Sequence, residues 1–336
     1  MSSSNMFSST YVSDAMKEAE KNGFGNVDEL LANLPRIKEQ TVETITENTI
    51  AVNNQCPNLR MKFILERLVY HLHTFAKEVD LQTDEWMKGL MFLTETGQKC
   101  SDIRQEFILL SDILGLSALV NAQSNPKPPG CTESTVLGPF HTADAADIGH
   151  GESIGSEGAG TKLIVQGKVT DLKGDAIEGV KIDVWQTDEH GYYDVQYAER
   201  DGPDHRGIVR TDTKGTYKFE AVVPVAYPIP SDGTVAGLLK ATKRHCFRPA
   251  HIHFKVDAKG FDPLVTAVYL SGDPFIASDA VFGVRNSLIV KLIEHPADQS
   301  YSKPYCTLEQ NFVLPTLDEV AQLKAEILEN KKSSAL

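Results

Sequence analysis

The chain has no apolar run approaching the roughly 20 residues that a membrane-spanning helix needs. Its first residues, MSSSNMFSSTYVSDAMKEAEK, lack the apolar stretch of a secretory signal. No GxGxxG or GxxxxGK[ST] fingerprint occurs, which removes the common nucleotide-binding loops. No internal repeat suggests a solenoid. Cysteine is scarce: Cys56, Cys100, Cys131, Cys246 and Cys306 make an odd count with no CxxC pair. That spacing argues against a zinc cage or a disulfide framework. It fits free thiols in a reducing compartment, so a cytoplasmic location is expected. Basic residues are outnumbered, 33 against 46 acidic, for a net charge of −13. Such a body repels phosphate backbones, so neither nucleic acid nor an anionic membrane is expected as a partner. At the C-terminus, Ala335 stands where a peroxisomal address wants a basic residue, and Lys331 to Leu336 read as a solvated tail.

What is present is an ordinary globular composition, 41% hydrophobic and 24% charged over 336 residues. Residues 1–25 are Ser-rich and read as a flexible arm. Residues 26–125 read as helical: Met61, Ile64, Leu65, Leu68 and Val69 recur at helical spacing, with Lys62, Glu66 and Arg67 between them. Thr83-Asp84-Glu85 and Ser101-Asp102 look like helix starts. The run Asn125-Pro126-Lys127-Pro128-Pro129-Gly130 marks a boundary, and residues 126–336 follow a different grammar. Short alternating runs rich in Val, Ile, Thr and Tyr cover 163–169, 180–185, 208–211, 217–219, 250–256, 264–270 and 287–290. DxxG turns separate several of them, which predicts an antiparallel sandwich or barrel. A last amphipathic helix is expected from Leu317 to Glu329.

Two HxH pairs stand out. His71 and His73 lie in a helical stretch, where residues two apart do not share a face. His251 and His253 lie in a strand, where both imidazoles point one way and Ile252 and Phe254 the other. A bare HxH leaves a metal site and a hydrogen-bonded pair of sandwich histidines both open. Asp257 would complete a ferrous two-His-one-carboxylate triad, by strand parity. Alternatively, Tyr193 and Tyr227 would supply phenolates, which a strongly polarising ferric ion can deprotonate. Tyr227 sits in a proline-rich loop that cannot be an ordinary ladder. Trp86 and Trp185 read as packing residues.

Gly179-Val-Lys-Ile-Asp-Val-Trp-Gln186, Gly191-Tyr-Tyr193, Arg210-Thr-Asp-Thr-Lys-Gly-Thr-Tyr-Lys-Phe219, Val225-Ala-Tyr-Pro-Ile-Pro-Ser-Asp-Gly233 and Arg244-His-Cys-Phe-Arg-Pro-Ala-His-Ile-His253 together resemble the intradiol ring-cleaving dioxygenases. The likeness spans roughly residues 85–290. It implies a mainly β fold with α: an N-terminal helical dimerisation domain and a β-sandwich catalytic domain of mixed topology. It implies a non-haem ferric ion held by Tyr193, Tyr227, His251 and His253, a catecholic substrate and dioxygen. Tyr227 would be the tyrosinate that leaves the metal and takes a substrate proton. Arg248 would stabilise charge as the ring loses aromaticity. Strand parity sets 248 and 251 on opposite faces, but Pro249 can break the alternation. The helical region should pair with a second copy, and the resemblance leaves open a lipid at that interface.

The ring pocket resembles the hydroxyquinol branch of the family. Its residues would be Leu109, Asp112, Val136, Leu137, Gly138, Pro139, Phe140, Ile229, Pro230, Arg248 and Val281. Asp112 would accept a hydrogen bond from a third hydroxyl and stand unpaired against plain catechol. Ala267 replaces a polar second-layer residue of some relatives. The expected reaction cleaves hydroxyquinol between adjacent hydroxylated carbons to give 3-hydroxy-cis,cis-muconate or maleylacetate. The alternatives are catechol cleavage to cis,cis-muconate and a metal-free binding sandwich.

Overall fold

The computed structural model describes residues 13–26, 34–101, 104–156, 158, 160–199 and 202–333. Residues 1–12 of the N-terminal arm, Asp102 of the second expected helix start, and the final three residues lie outside that set. The chain divides into two compact units, 1–90 and 91–336.

The first unit is helical. It includes α1 (Asp14–Ala19), α2 (Ile45–Asn53) and α3 (Leu59–Glu78), and α4 (Thr83–Gln98) begins in it. Asn58 starts α3 by accepting a hydrogen bond from the Met61 amide at 2.9 Å. His73 bonds Thr46 and His71 lies beside Arg67, so this HxH pair is split as helical spacing requires. Trp86, read as a packing residue, is half exposed in the single chain.

The second unit adds α5 (Glu106–Ile113) and α6 (Leu116–Ser124) before the strands begin. Helix α5 starts at Glu106, not near Ser101. Glu106 is wholly buried, accepts from Arg104, and accepts from the Val235 amide at the start of α7 (Thr234–Ala241).

One sheet is built on β1 (Lys162–Asp171). It pairs antiparallel with β4 (Thr216–Val222) and parallel with β11 (Tyr305–Glu309) and then β12 (Phe312–Leu314); β10 (Ile293–His295) extends β11. The other runs β3 (Arg206–Arg210), β2 (Lys181–Gln186), β7 (His251–Asp257), β8 (Leu264–Leu270), β9 (Ile289–Val290). The parallel pairs make the sandwich mixed rather than antiparallel. The last helix, α8, runs Leu317–Ser333.

Alternation divides the β7 sheet into two faces. Ile182, Val184, Ile252, Phe254 and Val256 meet Leu163, Val165, Val169, Phe219 and Phe312 in a dry core between the sheets. The opposite face of the same strands carries Trp185, His251, His253 and Ala267, with His253 directly across from both Trp185 and Ala267. The core residues therefore fix which way the histidines point.

Candidate active site

Four donor atoms converge on that outer face. His251 Nε2 lies 3.1 Å from His253 Nε2 and 3.4 Å from Tyr193 Oη, which is 3.4 Å from Tyr227 Oη. All four side chains are buried.

Each is set in place by local chain chemistry. The Asp188 carboxylate accepts from the His190 and Tyr192 amides and closes the turn before Tyr193. Gly191 in that turn has φ 85°, and a Cβ there would stand 3.3 Å from the Tyr227 Cβ. Tyr227 lies on β5 (Tyr227–Pro228), which pairs with β6 (Phe247–Arg248), so Tyr227 stands directly across from Arg248. The chain leaves strand geometry at Pro249 and Ala250 and resumes it at His251. That break resolves the parity objection: Arg248 Nη1 reaches His251 Nε2 at 3.1 Å and Tyr227 Oη at 3.3 Å.

The donor chemistry suits a ferric ion. His251 Nδ1 faces the Pro249 carbonyl at 2.7 Å; a carbonyl only accepts, so Nδ1 carries the proton and Nε2 presents its lone pair. Burial and the Arg248 guanidinium beside them hold both imidazoles well below their usual pKa, in the neutral form that metals require. Burial, with Tyr227 close by, pushes the Tyr193 phenol well up. Only a strong cation would draw off that proton. Two imidazoles and two phenols match trivalent iron rather than zinc or magnesium. The carboxylate alternative does not assemble. Asp257 keeps the parity of His253 but sits four residues on, about 13 Å along an extended strand, and its charged neighbour is Lys255 at 3.8 Å. Among the described residues no cluster of three or more His, Cys, Asp or Glu groups forms.

The expected pocket residues fall into two groups. In the first, Phe140 stacks on Tyr193 with ring centroids 4.5 Å apart. Gly138 has φ 75°, and a Cβ there would come within 3.4 Å of His253 Nε2. Buried Arg206 ties this loop down: it donates to the Phe140 carbonyl, to Thr142 Oγ1 and to Asp194, the residue after Tyr193. Val136 is half-buried, while Leu137 and Pro139 lie exposed. In the second, Leu109, Ile229 and Val281 share one apolar cluster with Ile113, Val235, Leu239 and Ala280, with half-buried Pro230 following Ile229. Asp112 projects from the same helix. Burial raises its pKa, while a hydrogen bond with Ser117 and then the charge of Arg248 pull it down.

Several supporting residues were not read from the sequence. Asp279 accepts from Arg248 Nε at 3.3 Å and from the amides of Val281 and Gly283. Tyr269 meets Arg248 Nη2 at 3.4 Å, and burial pushes its phenol up to about 12. A Cβ on Gly283 would stand 2.7 Å from Tyr269 Oη and 3.0 Å from Arg248 Nη2. Trp185, read from the sequence as a packing residue, stacks flat on His253, 4.8 Å between centroids. In sequence Asp279 is an ordinary turn aspartate, and only the fold aims it at Arg248.

Residues 136–315 match the family model described as "Dioxygenase", and residues 58–132 match "Catechol dioxygenase N terminus". An intradiol ring-cleavage dioxygenase of Aspergillus niger is 52% identical over 296 residues, 87% of this chain and 90% of the relative. A 6-chlorohydroxyquinol 1,2-dioxygenase of Cupriavidus pinatubonensis is 45% identical over 282 residues, 84% of this chain and all of the relative. The solved structure of hydroxyquinol 1,2-dioxygenase from Pseudomonas putida superposes with a TM-score of 0.78 at 42% identity, covering 82% of this chain and 98% of that one.

Proposed function

This chain belongs to the intradiol ring-cleaving dioxygenases, and from that premise we infer that it is a ferric enzyme whose preferred ring is hydroxyquinol, 1,2,4-trihydroxybenzene. The observation that carries the reading is the convergence of Tyr193 Oη, Tyr227 Oη, His251 Nε2 and His253 Nε2 beside the Arg248 guanidinium. These four side chains would hold the iron. When bound, ferric iron would supply Lewis-acid chemistry to a ring that chelates it through two adjacent hydroxyls, activating the ring toward dioxygen.

The protein's own part is positioning and charge. Tyr227 Oη would take a substrate proton, and Arg248 Nη1 donates to it at 3.3 Å. Asp279 and Tyr269 occupy Nε and Nη2, so only Nη1 is aimed at the ligand set. A guanidinium held that way stabilises negative charge as it develops on the ring without reorganising. Leu109, Ile229 and Val281 exclude water, and Asp112 accepts from a third ring hydroxyl. The expected products are 3-hydroxy-cis,cis-muconate and its keto form, maleylacetate. The exposed apolar stripe of α3 supports pairing of the helical unit with a second copy.

The test is visible absorption of protein purified in air, followed by hydroxyquinol added without oxygen. A broad tyrosinate-to-iron band that shifts on addition is expected. Tyr193→Phe should lose most of the band and of the bound iron. A wild-type protein left colourless after ferric reconstitution, or a Tyr193→Phe variant with full band and turnover, would overturn the four-ligand site. Catechol turned over as well as hydroxyquinol would overturn the substrate assignment alone.

A further inference from the structure

Helix α7 ends in a Schellman turn. Lys243 takes the left-handed conformation, φ 55°; its amide donates to Lys240 O at 3.1 Å, and the Arg244 amide donates to Leu239 O at 2.8 Å. The turn delivers the Arg244 side chain to two separate segments. Nη1 donates to Ile113 O at 2.6 Å and Nη2 to Ala280 O at 3.0 Å. Ile113 directly follows Asp112 and ends α5; Ala280 directly precedes Val281. The guanidinium also lies over the Phe282 ring, 5.1 Å from its centroid, and Phe282 itself is left-handed at φ 58°. Arg244, Asp279 and Phe282 line a cavity of about 480 Å³ on this side of the molecule.

We propose that Arg244 is a specificity-determining positioning residue: its bridge from Ile113 O to Ala280 O sets the separation between the Asp112 helix and the Val281 turn, and thereby selects a ring with a third hydroxyl. The proposal rests on the hydroxyquinol reading. A carboxylate discriminates for a hydroxyl only while it is held at hydrogen-bond distance, because an ångström of slack removes most of the advantage. The apolar cluster alone does not supply that precision, since aliphatic contacts tolerate sliding. A planar guanidinium with two donors in fixed directions does. Lysine has the charge, but its three donors radiate from a single nitrogen on a flexible stem, so it cannot hold two carbonyls at the fixed separation that a two-nitrogen fork sets. Among the described residues, the Arg244 side chain donates to these two backbone oxygens alone, whereas Arg248 is the arginine that borders His251 and Tyr227.

The experiment compares wild type, Arg244→Lys and Phe282→Ala in kcat and KM for hydroxyquinol and for catechol, with the visible iron band as the measure of an intact centre. In Arg244→Lys the ratio of kcat/KM for hydroxyquinol over catechol should fall about tenfold or more, mainly through KM for hydroxyquinol. The iron band should be unchanged. Phe282→Ala keeps both hydrogen bonds and should keep the ratio. Arg244→Gln, which retains a single amide donor group, carries the comparison if the lysine variant does not load iron. An unchanged ratio in the arginine variants overturns the proposal, as does an equal loss on both substrates, which is what general loosening would give. A wild type with no preference removes the hydroxyquinol reading and the proposal together. A preference that survives in Arg244→Lys removes the proposal alone.

Discussion

If Asp112 receives the third ring hydroxyl as proposed, stability and specificity pull in opposite directions at this residue. Its side chain is 8% exposed, and burial raises its pKa above the ordinary 3.8. A raised carboxyl pKa means that the folded protein binds the proton more tightly than the unfolded chain. Its contribution to stability is therefore full below pH 3.8 and is lost as pH rises through the folded value. At neutral pH the ionised carboxylate is a standing cost. Asp112→Asn removes the charge at nearly constant volume. The variant should unfold at a higher temperature than wild type near neutral pH, by roughly 1 kcal/mol of added stability. The difference should shrink as the pH falls and vanish well below pH 3.8, where the wild-type carboxyl is protonated in the folded and the unfolded chain alike. The same variant should bind hydroxyquinol more weakly, since an amide is a poorer acceptor than a carboxylate. Calorimetry across that pH range tests the first half. A wild type more stable than the variant at neutral pH would show that Asp112 is satisfied in the folded protein and does not await a ligand.

Among the elements, β1 carries the most constraint, because it changes partner along its length. Residues 162–166 pair with β11 and residues 169–171 with β12. The link between those partners crosses over Gly167, where a Cβ would fall 1.7 Å from Gln310 O. The same carbonyl accepts from Tyr217 Oη at 2.7 Å, so it cannot swing aside freely. Gly167→Ala should therefore cost about 3 kcal/mol or more, read as a lower urea midpoint or as insoluble protein. A variant within about 0.5 kcal/mol of wild type would mean that the crossing yields. This feature also shows where sequence reading stops. Alternation located β7 and β8 and turned both histidines to one face, because period two is local. Nothing local announces that β11 and β12 join β1 in parallel, since pairing across more than a hundred residues leaves no mark in either segment. The candidate ligand residues could be picked out for a similar reason: Tyr227 in a proline-rich loop and the HxH in a strand are departures from ordinary patterning. Asp279 and Arg244 were not, for a turn aspartate and a loop arginine look alike whether they aim at solvent or at the pocket.

At the scale of the whole molecule, the helical unit carries an apolar face made of exposed side chains. Met61, Ile64, Leu68, Leu72, Phe75 and Val79 follow one another at three and four residues along α3 and just past its end, and each is 47–55% exposed. A stripe of that length on a chain with net charge −13 is not explained by solubility. Apolar faces of this extent are covered in working proteins, and a two-fold axis lets one stripe cover its own copy. Two acidic bodies repel, but about 8 Å of screening length at physiological salt confines that repulsion to the rim, while the apolar centre gains roughly 25 cal/mol per Å² removed from water. Sedimentation should therefore give a dimer, and Leu68→Glu should give a monomer by placing a carboxylate in the middle of the stripe. Every proposed iron ligand belongs to the unit formed by residues 91–336. The monomeric variant should then keep its iron band while losing only assembly. A wild type that sediments as a monomer would remove the dimer. A Leu68→Glu variant that becomes monomeric and colourless would show instead that the metal centre depends on the paired state.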